Sequence, residues 1–176
     1  MRKFFLAVIV FSVFILPSCS MYDDKLEFNP SSAKEIFIKA VINNTNKPAL
    51  ESKITLAVSE EMQNDGRLTI SNTQSASDGI LSITIRRYIL RPLTYDANMV
   101  AEQYKLWVVS EIAFVDTETG EEKWKETMEI IQIYLDANKS GIDPGEGFTE
   151  DQAQDAISEK LARRVVRRII KGYINA

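Results

Sequence analysis

The 176-residue chain carries 21 basic and 25 acidic residues, a net charge of −4, with no histidine and one cysteine. Without histidine, Ser-His and Cys-His nucleophile pairs and His-containing zinc sites are excluded. With a lone cysteine no intramolecular disulfide forms, and the acidic balance lacks the basic footprint of a nucleic-acid-binding domain. The expectation is a non-catalytic protein with no catalytic residue, no metal and no cofactor.

In chain order, Arg2 and Lys3 form a positive start, and Phe4 to Leu16 is an apolar run interrupted only by Ser12. Leu16-Pro17-Ser18-Cys19 follows at once. Charge, apolar stretch and small residue in that order make an export signal, and the run is too short for the roughly 20 residues of a membrane span. A cysteine directly after the small residue resembles the bacterial lipobox, in which the thiol receives the lipid. Residues 1–18 are therefore read as signal peptide, and 19–34 as lipidated Cys19 plus a flexible tether containing Asn29-Pro30-Ser31-Ser32. Residues 35–176 are read as one domain. Loss of Arg2 and Lys3 takes the mature chain to a net charge near −6. Ser20 after Cys19, in place of an aspartate, favours the outer membrane, with the domain facing the periplasm.

Glu35 to Ile42 is apolar and β-branched, which predicts a strand, and Asn43-Asn44-Thr45-Asn46 breaks it. Pro48 suits the first turn of a helix. Leu50, Ile54, Ala57, Val58 and Met62 recur at helical spacing, and Asn64-Asp65-Gly66 gives a glycine stop. Arg67 to Ser71 predicts a short strand. After Asp78-Gly79, Ile80 to Leu90 predicts a longer one, with Ile83 and Ile85 on one face and Thr84 and Arg86 on the other. Pro92 is expected to end it, and Thr94 to Asn98 to form a hairpin connection. Tyr104 to Val115 and Trp124 to Leu135 predict two further strands, joined by a turn at Asp116 to Gly120. Asn138 to Gly147 reads as a Gly-rich loop. Thr149 and Gln152 then fit a capping box opening a last helix, whose apolar face is Leu161, Val165, Val166, Ile169, Ile170 and Tyr173. This order predicts an α+β two-layer sandwich: a mixed, mostly antiparallel sheet of four to five strands with two helices on one face.

Four groups of residues bear on chemistry. Glu60 and Glu61 are paired carboxylates that read as a solvated helix face. Asp136, Asn138, Ser140 and Gly141 match the opening of a calcium loop, but Gly147 stands where the closing bidentate glutamate belongs, so the string reads as an ordinary polar loop. Lys160, Arg163, Arg164, Arg167, Arg168 and Lys171 fall on one arc of the last helix. They fit either contact with phosphates or cations that complement the negative end of the helix. Arg86, Arg87 and Arg91 on the long strand, with Lys105 on the next, are the candidate phosphate-binding cations. Arg87 and Tyr88 break the alternation there, which predicts a bulge or an exposed end. Ordinary cross-strand ion pairing is the competing reading.

An ordered set of strings resembles a known family across about residues 35–173. Asn43-Asn44-Thr45 precedes Pro48-Ala49-Leu50-Glu51, and Asp65-Gly66-Arg67-Leu68 joins helix to strand. Tyr88-Ile89-Leu90-Arg91-Pro92-Leu93-Thr94-Tyr95-Asp96 leads into the hairpin, and Glu102-Gln103-Tyr104-Lys105-Leu106 leads out of it. Asp116-Thr117-Glu118-Thr119-Gly120-Glu121 and Trp124 mark the next turn. With the lipobox, these resemble the LPS-assembly lipoprotein LptE. The resemblance implies a non-catalytic plug in the outer-membrane β-barrel LptD, and contact with lipopolysaccharide through basic residues near strand ends. The hairpin tip Tyr95-Asp96-Ala97-Asn98 has no cation, so Arg91 and Lys105 are the nearest candidates. The strand-helix-strand opening is also similar to other periplasmic lipoproteins, among them activators of cell-wall synthases, which form the alternative.

Overall fold

The computed structural model describes residues 34–139 and 145–174. The expected signal peptide, Cys19 and nearly all of the tether lie outside the described residues, as do Ser140 and Gly141 of the calcium-like string. Within them the chain is an α+β sandwich. Strand β1 (Lys34–Ile38) leads to a two-residue β2 (Ile42–Asn43), helix α1 (Leu50–Asp65) and β3 (Leu68–Ile70). Three long strands follow, β4 (Gly79–Tyr95), β5 (Ala101–Asp116) and β6 (Glu122–Leu135), and then helix α2 (Glu150–Ile169). The sheet order is β3-β1-β4-β5-β6, with β2 also pairing to β4. β1 is parallel to β3 and β4, and β4, β5 and β6 form an antiparallel meander.

Both helices cover the same face of the sheet. Helix α1 buries the expected stripe Leu50, Ile54, Ala57, Val58 and Met62. It stops at Gly66, which adopts φ 77° and donates its N–H to the Met62 carbonyl. Its start differs from expectation, because Pro48 lies before the helix and Ala49 takes a left-handed φ of 66°. The cause is Asn43. Its amide donates to the Lys47 carbonyl and to Glu51, each at 2.7 Å, and its oxygen accepts from Thr45. These bonds close residues 43–47 into a loop, and Ala49 is left to turn the chain into the helix. Helix α2 opens with the expected capping box of Thr149 and Gln152. It buries Ile157, Leu161, Val165, Val166 and Ile169, and packs against α1.

The core lies between this helical layer and alternate residues of the strands, with Leu81, Ile83 and Ile85 from β4 and Leu106, Val108, Ile112 and Phe114 from β5. Met128 and Ile130 of β6 complete it. Strand β4 runs past Pro92 to Tyr95, five residues longer than the sequence reading of Ile80 to Leu90 at its distal end. The ladder shifts register between Pro92 and Thr94. A residue without an N–H is tolerated where regular pairing is already interrupted.

Candidate functional site

The strands β4, β5 and β6 have a second face, which no helix covers. Its composition depends on one extra residue. Ile85 pairs with Ser110, yet Arg87 pairs with Val109, so Arg86 is inserted into β4 as a bulge. Before the bulge the odd-numbered residues Leu81, Ile83 and Ile85 face the helices. After it the even-numbered Tyr88 and Leu90 pack against the core. The bulge therefore turns Arg87, Ile89 and Arg91 to the open face. An unbroken strand would have aimed all three at the helices.

On β5 the open face carries Gln103, Lys105, Trp107, Val109 and Glu111, and on β6 it carries Thr127, Glu129, Ile131 and Ile133. The register places these in rows across the three strands. Arg91 is opposite Lys105, which is opposite Ile133. The next row inward is Ile89, Trp107 and Ile131. A shallow groove of about 210 Å³ runs along this part of the face, lined by Ile89, Arg91, Pro92, Leu93, Lys105 and Trp107. The Lys105 ammonium lies 5.4 Å from the centre of the Trp107 ring, a cation–π contact. Ile131 and Ile133 remain 42% and 49% exposed.

The four cations singled out in the sequence separate here. Arg86 donates to Glu111 at 3.1 Å, and Lys125 holds the same carboxylate at 3.2 Å. The two cations keep the Glu111 carboxyl below its ordinary range, Lys125 contributing first. Arg86 is thus occupied in a surface charge cluster. Arg91 and Lys105 are adjacent in one row and border the groove, and neither has an acidic partner among the described residues. Arg87 lies one row beyond Ile89, opposite Val109. No sequence pattern gave the apolar row. Ile89, Trp107 and Ile131 become neighbours only through the antiparallel register, and only if the bulge sits at Arg86.

The hairpin beyond this face is fixed by charge. Asp96 accepts the backbone N–H groups of Asn98 and Val100, both at 2.8 Å. Lys139 reaches Asp96 at 2.9 Å and Glu102 at 3.0 Å. The Val100 N–H and Lys139 together hold the Asp96 carboxyl below its usual range. Met99 adopts a left-handed φ of 62° and is 78% exposed at the tip.

Behind the open face, Tyr88 ties β4 to α2. Its hydroxyl donates to Glu150 at 2.6 Å and accepts from the Gln154 amide at 3.1 Å. Lys47 holds the same Glu150 oxygen at 2.6 Å. Burial would raise the Glu150 carboxyl, but the bonds from Lys47 and Tyr88 outweigh it and hold the carboxyl low. Burial and the bond to Glu150 push the Tyr88 hydroxyl up.

The basic arc of α2 lies along the β6 edge. Arg168 approaches Glu126 at 3.7 Å and lies over the Trp124 ring. Lys160 donates to Gln132, and Arg164 to the Glu129 carbonyl. Half the arc is thus engaged with β6. Asp136 of the calcium-like string accepts from the backbone and side chain of Asn138, as in a polar turn. The described residues hold no group of three acidic or sulfur ligands fit for a metal ion, and none of their helices is long and apolar enough to cross a membrane.

The protein is thus an α+β two-layer sandwich with one helix-free face, on which cations border an apolar row. The chain belongs to the lipopolysaccharide-assembly family LptE, which matches residues 33–171. No curated protein sequence matches the chain. The chain is similar to several solved structures, and the first of these supports the fold. Protein CT253 from Chlamydia trachomatis is 10% identical with a TM-score of 0.57, over 82% of this chain and 99% of that one. PelC from Paraburkholderia phytofirmans is 13% identical with a TM-score of 0.48, over 77% and 87%. Rare lipoprotein B from Shewanella oneidensis is 14% identical with a TM-score of 0.46, over 81% and 95%.

Proposed function

We propose that this chain is a lipid-anchored, periplasm-facing lipoprotein of the outer membrane that plugs an LptD-type β-barrel and assists its assembly. In that position it helps deliver lipopolysaccharide to the outer leaflet. Its role is non-catalytic. Cys19 carries the lipid, residues 1–18 are removed, and 19–34 form the tether to the domain that follows. Two acyl chains anchor far better than one, since each buried CH2 contributes about 0.8 kcal/mol.

The observation that carries the reading is the Arg91–Lys105 row in a chain of the lipopolysaccharide-assembly family. A guanidinium and an ammonium on adjacent strands offer a planar fork and a point charge to one phosphate group. Of the four candidate cations, Arg91 and Lys105 are the principal contacts and Arg87 an accessory one. Arg86 acts on the face through Glu111 and does not touch the lipid. The plug's work is to fill space and hold a charged ligand, tasks that a rigid sheet performs without titrating groups at the reacting position.

A mild-detergent pull-down of the tagged lipoprotein from its own outer membrane tests this. A large β-barrel is expected in stoichiometric amount. Recovery of a cell-wall synthase ectodomain without a barrel would overturn the plug reading in favour of a synthase activator.

A further inference from the structure

The cation row accounts for a phosphate but leaves the apolar row beside it without a purpose. Ile131 and Ile133 are nearly half exposed on a strand that buries Met128, Ile130 and Tyr134 on its other side. Their neighbours across the register, Trp107 and Ile89, are partly buried and line the groove. Soluble proteins leave isolated apolar residues at the surface without consequence, but a contiguous apolar patch rimmed by charge marks an interaction site. Here the rim has an order. Arg91 and Lys105 cross the groove near its distal end, and the Ile89–Trp107–Ile131 row lies directly inward of them. Arg87 and Glu129 close the apolar row on its inner side, and the order therefore runs across the strands, from the cations on β4 and β5 to Ile131 and Ile133 on β6. Charge at one end and hydrocarbon at the other is the polarity of a phosphorylated amphiphile.

We infer that the Ile89–Trp107–Ile131 row, extended by Ile133, is a ledge for an acyl chain of the glycolipid whose phosphate meets Arg91 and Lys105. This rests on the lipopolysaccharide-binding reading and adds the apolar half of the ligand to it. The occupant is hydrocarbon, because the order of charge and apolar surface across the face complements one amphiphile lying over it. The inner wall of an outer-membrane barrel is polar and would give the apolar row no counterpart. The ledge is built on β5 and its two sheet neighbours, β4 and the edge strand β6. Lys105 rests over Trp107, which sets a cation at the border of the apolar row.

The test uses the full lipoprotein in its own outer membrane. A benzophenone amino acid is placed at position 131, and in a second strain at 127, where Thr127 shares the face but sits opposite Glu111. Illumination at 131 is expected to give a glycolipid adduct at least tenfold stronger than at 127, weakened severalfold by Arg91→Ala. A protein adduct at 131, equal lipid yield at both positions, or no adduct overturns the ledge. Position 133 repeats the measurement should the first variant fail to accumulate. Barrel recovery is scored in the same cells: a lipid adduct without a barrel preserves the ledge and removes the plug, and a barrel without a lipid adduct does the reverse.

Discussion

The two faces of β4, β5 and β6 are made from alternate residues of the same strands, yet they differ in character. Under the helices, Leu81, Ile83, Ile85, Leu106, Ile112, Phe114 and Met128 are all within 2% of full burial. Across the sheet, Arg87, Arg91, Lys105 and Glu111 share the surface with Ile131 and Ile133 that stay open. Stability therefore resides on one side of a layer one residue thick, and the candidate ligand-binding side chains on the other. The separation means that substitutions can be sorted by face. The helix-side set should move stability strongly, and the open-side set should move binding while leaving stability nearly untouched.

The largest break in the comparison is Phe114→Ala. Phe114 is fully buried and stacks on Trp124 at 5.9 Å between ring centres. Its truncation leaves a cavity on the helix side and is expected to cost about 3–5 kcal/mol, read as a fall in urea midpoint with unchanged slope. Gly79→Ala attacks the same ring from the other direction. A methyl group at Gly79 would run into Phe114, and overpacking of this kind costs about 1–3 kcal/mol. The double variant Gly79→Ala with Phe114→Leu is expected to recover part of that loss, since the obstructing ring is gone.

Glu150→Gln sharpens the comparison at the seam between the helices and the strands. Glu150 joins Lys47, Tyr88 and α2, and its folded carboxyl lies below the ordinary value of 4.5. A depressed acid contributes stability that is complete above the unfolded value and fades as pH falls through the lower folded one. Glu150 is about one-third exposed, so the contribution is about 1 kcal/mol or less. Denaturation of the wild type and the variant is expected to differ at pH 7 and to converge as the pH falls below 4.5 and through the lowered folded value. A difference that persists undiminished at pH 3 would assign the effect to packing instead of charge.

Much of this was legible in the sequence, and the physics explains which parts. Helix α1 showed its i, i+4 stripe and its glycine stop, and α2 its capping box, because these are local rules. The bulge was legible from Arg87 and Tyr88 breaking the alternation. Pro48 and Pro92 restrict only their own backbone, and the element boundaries beside them are set by the Asn43 hydrogen bonds in one case and by a register shift in the other. Lys105 and Arg91 were named as candidates from their nearness to the hairpin, but their adjacency, and the capture of Arg86 by Glu111, required the pairing. The apolar ledge was invisible, since Ile89, Trp107 and Ile131 are far apart in the chain and each alone reads as an ordinary strand residue.

The smallest expected effects on stability come from the open face, and they carry the functional half of the comparison. Arg91→Ala and Lys105→Ala remove exposed or half-exposed cations with no acidic partner among the described residues. Each should therefore change unfolding free energy by less than about 0.5 kcal/mol. Arg86→Ala should be nearly as mild, because it breaks one exposed ion pair and Lys125 still holds Glu111. The three variants part company in lipopolysaccharide binding by the purified lipoprotein. A hydrogen bond to a charged group is worth about 1.5–3 kcal/mol, so Arg91→Ala and Lys105→Ala are each expected to weaken binding by tenfold or more, with Arg86→Ala within twofold of wild type. Charge alone would make all three equivalent, since each removes one positive charge from the same face. Equal losses would therefore mean that the face attracts its ligand by net charge, and that the row formed by the bulge and the β4–β5 register has no part in gripping it.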